Sequence, residues 1–231
     1  MDKHELNVVY EDNHLLVVVK PQNVLSQQDS TNDEDMLSMC KEYIKNKSNK
    51  AGEAFVGLVH RLDRPTGGLM VFAKTSKAAS RLSEQIKNGE FSKEYLTVVV
   101  GRPREVSAKL THYLKKDEIN NVVRVVPMLE SGAKKCELIY KTLDYNDKLS
   151  LLNVKLLTGR SHQIRVQMST IGNPVFGDVK YKGDIVKGYN LALWAYKLVF
   201  IHPTTKQVLN FVCYPPEDEI PWNYFNLNKK F

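Results

Sequence analysis

Three cysteines in 231 residues (Cys40, Cys136 and Cys213) are too few and too far apart for a disulfide framework or a metal-ligand pattern. Their odd number fits a reducing compartment. No uninterrupted apolar stretch approaches ~20 residues, so no membrane span is expected. The N-terminal Met1-Asp2-Lys3-His4-Glu5 lacks an apolar signal region, which argues against export and for the cytoplasm. There is no Gly-x-Gly-x-x-Gly fingerprint and no P-loop, which removes the commonest dinucleotide and nucleoside-triphosphate sites. No internal repeat is visible. Neither a metal nor a cofactor is expected.

What is present is ordinary in bulk, with 42% hydrophobic and 26% charged residues, and uneven in detail. Residues 60–116 hold 12 Lys/Arg against 5 Asp/Glu, while the remainder holds 21 of each sign, so the whole excess of +7 sits in one quarter of the chain. Such a segment is either a solvated basic face or a surface that meets phosphates, and charge alone does not separate the two.

Periodicity and turn residues give a coarse map. Leu6–Glu11 and Leu15–Lys20 read as strands joined by Asp12-Asn13. Thr31 with Glu34 reads as a capping box opening a helix to about Ile44, and Asn46–Glu53 as a loop. Phe55–Val59 and Leu69–Ala73 are short apolar strands, and Thr75 caps a helix through Ile86 that Asn88-Gly89 closes. Strands follow over Phe91–Gly101, Ala108–Leu114, Val122–Val126, Cys136–Asp144 and Leu149–Leu157. A helix is expected from Arg160 to Ile171, an irregular stretch over 173–190, a hairpin of Leu191–Ile201 with Val208–Tyr214, and an aromatic tail at Pro221–Phe225. About ten strands and three helices without βαβ alternation favour an α+β fold on a mostly antiparallel sheet. The length allows one large domain or two small ones, and no stretch reads as a linker, so a single domain over 1–231 is expected.

The chemistry concentrates in His60-Arg61-Leu62-Asp63-Arg64-Pro65-Thr66-Gly67-Gly68, between two short strands. Pro65 favours an extended Arg64, and the two glycines permit conformations other residues avoid. The expected result is a tight loop presenting Asp63 among positive charges, which favours an ionised carboxylate. On spacing alone, an Asp between two Arg is a surface ion pair. His60 and His162 lack any triad or metal set around them and read as structural.

This stretch resembles the signature of the RluA-type pseudouridine synthases, with Gly67 in place of the usual Ser. Val9–Pro21 resembles that family's opening segment, Lys93-Glu94-Tyr95-Leu96 its Lys-x-Tyr motif, and Leu157–Arg165 its third motif, with Gly177–Tyr181 behind it. Gln167 and Leu191–Ala195 depart from the family pattern. The resemblance implies a long, twisted mixed sheet with flanking helices and a central catalytic cleft, and a chain beginning directly at the catalytic domain without an N-terminal RNA-binding module. It implies isomerisation of uridines in rRNA or tRNA, with Asp63 as nucleophile on ribose C1′ or uracil C6. By the same resemblance Tyr95 stacks on the uracil, and Arg165 reaches Asp63 and holds it ionised. Arg61, Arg64, Lys93 and Arg160 are the phosphate-binding candidates, Arg160 at a helix start. Structured RNA is the expected partner, without membrane or DNA, for a monomer. Two rival readings are a non-catalytic RNA-binding or RNA-folding protein that keeps the fold, and a glycoside hydrolase using Asp63, for which no second carboxylate is apparent.

Overall fold

The computed structural model describes residues 5–48, 54–181, 188–227 and 230. In chain order its elements are β1 (Asn7–Glu11), β2 (Leu15–Lys20), α1 (Met36–Ser48), β3 (Gly57–Leu58), β4 (Gly67–Ala73), α2 (Ser76–Asn88) and β5 (Ser92–Val100). Then come β6 (Ser107–Asp117), β7 (Val122–Val125), β8 (Lys134–Tyr145), β9 (Leu149–Leu156), α3 (Gln163–Thr170), β10 (Leu193–Ile201) and β11 (Val208–Val212). Strands and helices without regular alternation make this an α+β fold, as the sequence indicates. The chain divides into two units, one of residues 1–92 and 195–213, the other of 93–194 and 214–231.

In the first unit the strand order is β1-β2-β4-β10, with β3 on β4 and β11 on β10. β2 lies antiparallel to both β1 and β4, running from Leu15 opposite Ala73 to Lys20 opposite Gly68. All of Leu15–Lys20 and Gly67–Ala73 is buried, which suits their near-continuous apolar character. α2 behaves as its sequence demands: Thr75 Oγ1 accepts from Ala78 N–H at its start, and Gly89 takes the left-handed conformation at its end. α1 does not. It starts at Met36, where Asp35 accepts from Ser38 N–H, because Thr31 is engaged in a local turn with Asp29 and Asp33. It also runs to Ser48, into the segment read as a loop, while 49–53 lie outside the described residues.

The second unit is an antiparallel meander in the order β5-β9-β8-β6-β7, with longer strands than expected at β6 and β8. α3 starts at Gln163 rather than near Arg160, behind a left-handed His162. It is buried nearly all round, including Ile164, Arg165, Gln167 and Met168. Of the irregular stretch, 182–187 lie outside the described residues. At the C-terminus Trp222 and Phe225 are buried, so the aromatic tail packs as expected. Among the described residues no helix is long and apolar enough to cross a membrane.

Candidate active site

In the first unit, residues 59–66 link β3 to β4 and carry Asp63, which is half-buried between an exposed Arg61 and an exposed Arg64. The loop is held from below by the end of β2 and the residues after it. Ser26 Oγ donates to Leu62 O at 2.7 Å and accepts from Leu62 N–H at 3.1 Å. Arg64 O accepts twice, from Lys20 Nζ at 2.9 Å and from Asn23 N–H at 2.8 Å. Gln22 Nε2 donates to Pro65 O at 3.0 Å, and Thr66 N–H closes the turn onto Asp63 O at 2.9 Å. Both neighbours of Asp63 are therefore fixed through their backbone.

Two further contacts set the loop's ends. His60 Nε2 accepts from Val71 N–H at 3.1 Å, so that nitrogen is unprotonated and the ring serves as a structural acceptor. The imidazole sits against Phe91, which stacks on Phe200. At the other end Gly68 has φ +113°, and a Cβ there would lie 2.4 Å from Ala195 O. Only glycine fits that approach.

The sequence-predicted cations differ in what they do. Arg64 is drawn onto its own unit's surface, pairing with Asp33 at 2.8 Å and donating from Nε to Asn23 O. Lys20, absent from the sequence-based site, is fully buried, and donates from Nζ to Pro21 O at 2.8 Å as well as to Arg64 O. Burial pushes its pKa down to about 7, opposed by the charge of Asp63 and helped by that of Arg64. The signal for it in the sequence is a lysine ending an otherwise apolar strand immediately before Pro21.

In the second unit Lys93 and Tyr95 alternate onto one face of β5, opposite Leu156 and Val154. Tyr95 is buried. Burial lowers the Lys93 pKa, and its Nζ lies 3.4 Å from where a Cβ on Gly159 would stand. Arg160 is exposed in the loop before α3 rather than at its first turn. Its N–H donates to Gln163 Oε1 and its Nε to Lys135 O, so the anion-binding helix start expected there is not formed by Arg160. Gln163 also accepts from Thr158 Oγ1 and donates to Glu137 O, stapling this loop to β8.

Arg165 has an anchor that sequence reasoning did not identify. Its Nε and Nη2 make a bidentate pair with Asp178 at 2.7 and 2.8 Å, with side chains 6% and 0% exposed. Asp178 is fixed in turn by the N–H groups of Lys180 and Tyr181. The Tyr181 ring lies 5.2 Å from the Arg165 guanidinium, and its hydroxyl accepts from Val123 N–H and meets His162 Nδ1 at 2.7 Å. His162 is thus part of the scaffold. Gln167, a departure from the family pattern, is buried and donates to Leu110 O while meeting His112 Nδ1.

The first unit offers a carboxylate flanked by exposed arginines, and the second offers a buried phenol ring, a clamped guanidinium and an exposed arginine. No group of three or more His, Cys, Asp or Glu among the described residues is arranged to hold a metal ion.

Comparison with known proteins gives a consistent picture. Residues 14–170 match the model of a family described as RNA pseudouridylate synthase. The chain is 35% identical over 191 residues to the mitochondrial tRNA pseudouridine(32) synthase of Saccharomyces cerevisiae, covering 80% of this chain and 39% of the yeast protein. It is 31% identical over 225 residues to the ribosomal large subunit pseudouridine synthase D of Zymomonas mobilis, covering 92% and 70%. The chain spans about two thirds or less of the length of several curated relatives. The solved structure of human RNA Pseudouridylate Synthase Domain Containing 4 superposes with a TM-score of 0.76 at 21% identity, covering 91% of this chain and 88% of that one, a likeness of fold.

Proposed function

Given that the chain belongs to the RNA pseudouridylate synthase family, we propose that it isomerises uridines of structured RNA to pseudouridine with Asp63 as nucleophile. The observation that carries this reading is the loop itself. A half-buried carboxylate stands between two residues whose backbones are each pinned by buried donors, while the loop side presents arginine to solvent. The arrangement suits a group that must attack one carbon at one angle.

The reaction needs no oxidant. The uracil N1–C1′ bond breaks, the base turns, and a C5–C1′ bond forms. C5 loses a proton, N1 gains one, and mass is unchanged. A carboxylate attacking C1′ or C6 holds the detached state and leaves again readily. Tyr95 offers a flat ring for the uracil, and Arg165 the guanidinium that keeps the site's negative charge compensated. The target base must first leave its stack, and Arg61, Lys93 and Arg160 are the groups for the flanking phosphates. Arg64, already paired with Asp33, contributes chiefly through its carbonyl. Relatives named for tRNA and for the large ribosomal subunit support these two RNAs as substrate classes.

The test is pseudouridine mapping of total RNA from a deletion strain complemented with wild type or with Asp63→Asn. One or a few sites should be lost on deletion and restored by wild type only, with RNA affinity unchanged by Asp63→Asn. Restoration by Asp63→Asn would refute the mechanism. If deletion removed no site while the protein bound RNA, a non-catalytic RNA-binding role would replace this reading. Release of free uracil would identify a hydrolase instead.

A further inference from the structure

Near its end β8 carries a bulge between Thr142 and Asp144, where its register against β9 shifts. Bulges re-aim side chains and gather at functional places. Here the bulge borders a pocket of about 110 Å³, walled by Pro103 and Val106 from the β5–β6 connection and by Thr142, Asp144 and Tyr145. Its walls are pinned. Thr142 N–H donates to Val106 O at 2.7 Å, Tyr140 Oη to Glu105 O at 3.1 Å, and Gly101 N–H to Lys148 O at 2.7 Å. Tyr95 stands near the start of β5 and the pocket beyond its end at Val100, about 17 Å or more away at the rise of a strand.

The chemistry of the pocket points to one kind of ligand. Arg102, which also lines it, sets its guanidinium 3.6 Å from the centroid of the Tyr145 ring, and both residues are exposed. An unstacked base packs well on such a pair, because every base has a flat π-face. Asp144 supplies acceptors. Its Oδ1 takes the Tyr145 N–H at 2.9 Å and its Oδ2 meets Lys230 Nζ at 3.1 Å, which leaves lone pairs on a group that has about four. Thr142 Oγ1 is buried and has no hydrogen-bond partner among the described residues. Rotation about χ1 exchanges that hydroxyl with the methyl group and offers it to the pocket. For scale, an engineered cavity of about 150 Å³ holds benzene. The pocket therefore takes one six-membered ring and not a fused pair. A carboxylate selects an exocyclic amine, which cytosine has and uracil lacks.

We propose that this pocket binds an unpaired cytosine of the substrate RNA, at a site separate from the one that takes the target uridine. This rests on the reading of structured RNA as the substrate. The base stacks on the Arg102–Tyr145 pair and donates from its N4 amine to Asp144. No bond is made or broken there; the site helps to choose which RNA is held.

The experiment titrates wild type, Tyr145→Leu and Asp144→Asn with labelled oligocytidylate, oligouridylate and oligoadenylate of about ten nucleotides, read by fluorescence anisotropy. Cytidine 5′-monophosphate serves as competitor, and circular dichroism checks that each variant is folded. Oligocytidylate should bind wild type more tightly than the other two. Tyr145→Leu should weaken it at least about fivefold, the lower end for loss of one stacked base. Asp144→Asn should bring oligocytidylate and oligouridylate to within about twofold of each other, since an amide both donates and accepts.

Equal binding of the three oligonucleotides by wild type, or a cytosine preference that survives both variants, would overturn the proposal. Uniform weakening of all three with their order unchanged would mark a merely structural role and overturn it as well. Competition by cytidine 5′-monophosphate at the affinity of oligocytidylate would assign the pocket to a free nucleotide instead. Pseudouridine mapping reads Asp63 and not this pocket, and these titrations read no catalysis, so the failure of either reading is seen apart from the other.

Discussion

The loop that carries Asp63 and the helix that carries Arg165 are anchored at different points. Around Asp63 the described contacts reach the backbone on either side, through Ser26 at Leu62 and through Lys20 and Asn23 at Arg64. Around Arg165 they reach the head group itself, through the two oxygens of Asp178. A nucleophile must meet its carbon at one place and one angle, and holding the chain on both sides of Asp63 fixes that placement. A guanidinium has five N–H donors. Asp178 takes two of them and still leaves the charge available to a third party.

The comparison breaks most visibly at Asp178. Asp178→Ala leaves a 5%-exposed guanidinium without its carboxylate, and the expected loss is about 3–5 kcal/mol of stability, read from urea unfolding. Asp178→Asn keeps the shape and one acceptor oxygen, and should recover part of that loss. An unchanged midpoint in the alanine variant would mean that the clamp is not what fixes Arg165.

On the other side, Gly68→Ala tests whether the loop depends on its backbone path. The new methyl would meet Ala195 O, N and C at 2.4, 2.6 and 2.8 Å, all backbone atoms, at a φ that L-residues avoid. Stability should fall by more than about 2 kcal/mol, and activity should fall with it. Ser26→Ala is gentler. It strips a donor and an acceptor from buried Leu62 and should destabilise by about 1–3 kcal/mol, with a fall in single-turnover rate and no change in RNA affinity. A loss of affinity without loss of rate would place Ser26 in RNA binding and end the contrast drawn here.

How far the sequence spoke varies with distance along the chain. The Asp63 loop was legible because its punctuation is local: two apolar runs, a proline and two glycines within residues 55–73. The α2 caps were legible for the same reason. Thr31 shows the limit of local reading. Its capping box competed with an aspartate turn two residues to either side, and the turn prevailed, leaving Asp35 to start α1. Arg160 fell outside α3 because Gln163, three residues on, bonds back to the Arg160 N–H and so ends the loop rather than extending the helix. The pairings that support the site were not legible, even where a residue such as Lys20 stood out. Lys20 meets Arg64 across 44 residues, Ser26 meets Leu62 across 36, and Asp178 meets Arg165 from a loop of its own. Sequence spacing carries no sign of such pairings.

The smallest expected effect separates the two ends of the β2–β4 pair. Lys20 opposes Gly68 beneath the loop, while Leu15 opposes Ala73 five residues away, about 17 Å along the strand. Near that far end Glu11 accepts from Lys47, Lys74 and Tyr43. Burial alone would raise its pKa, but these three bonds outweigh it and bring the carboxyl from 4.5 down to about 2. Between those values the unfolded chain binds a proton that the folded chain does not, so this contribution is present above about pH 5 and is lost as pH falls towards 2. Lys47 is 60% exposed, so solvent screening holds the contribution to about 1 kcal/mol or less. Glu11→Gln should therefore lower the urea midpoint slightly at neutral pH, and that difference should shrink as the pH falls from about 5 towards 2. It should leave the single-turnover rate at neutral pH untouched. A slowed reaction in Glu11→Gln would mean that strain passes along β2 from one end to the other, and that the loop's geometry is set by the whole strand pair rather than by the cluster around Lys20.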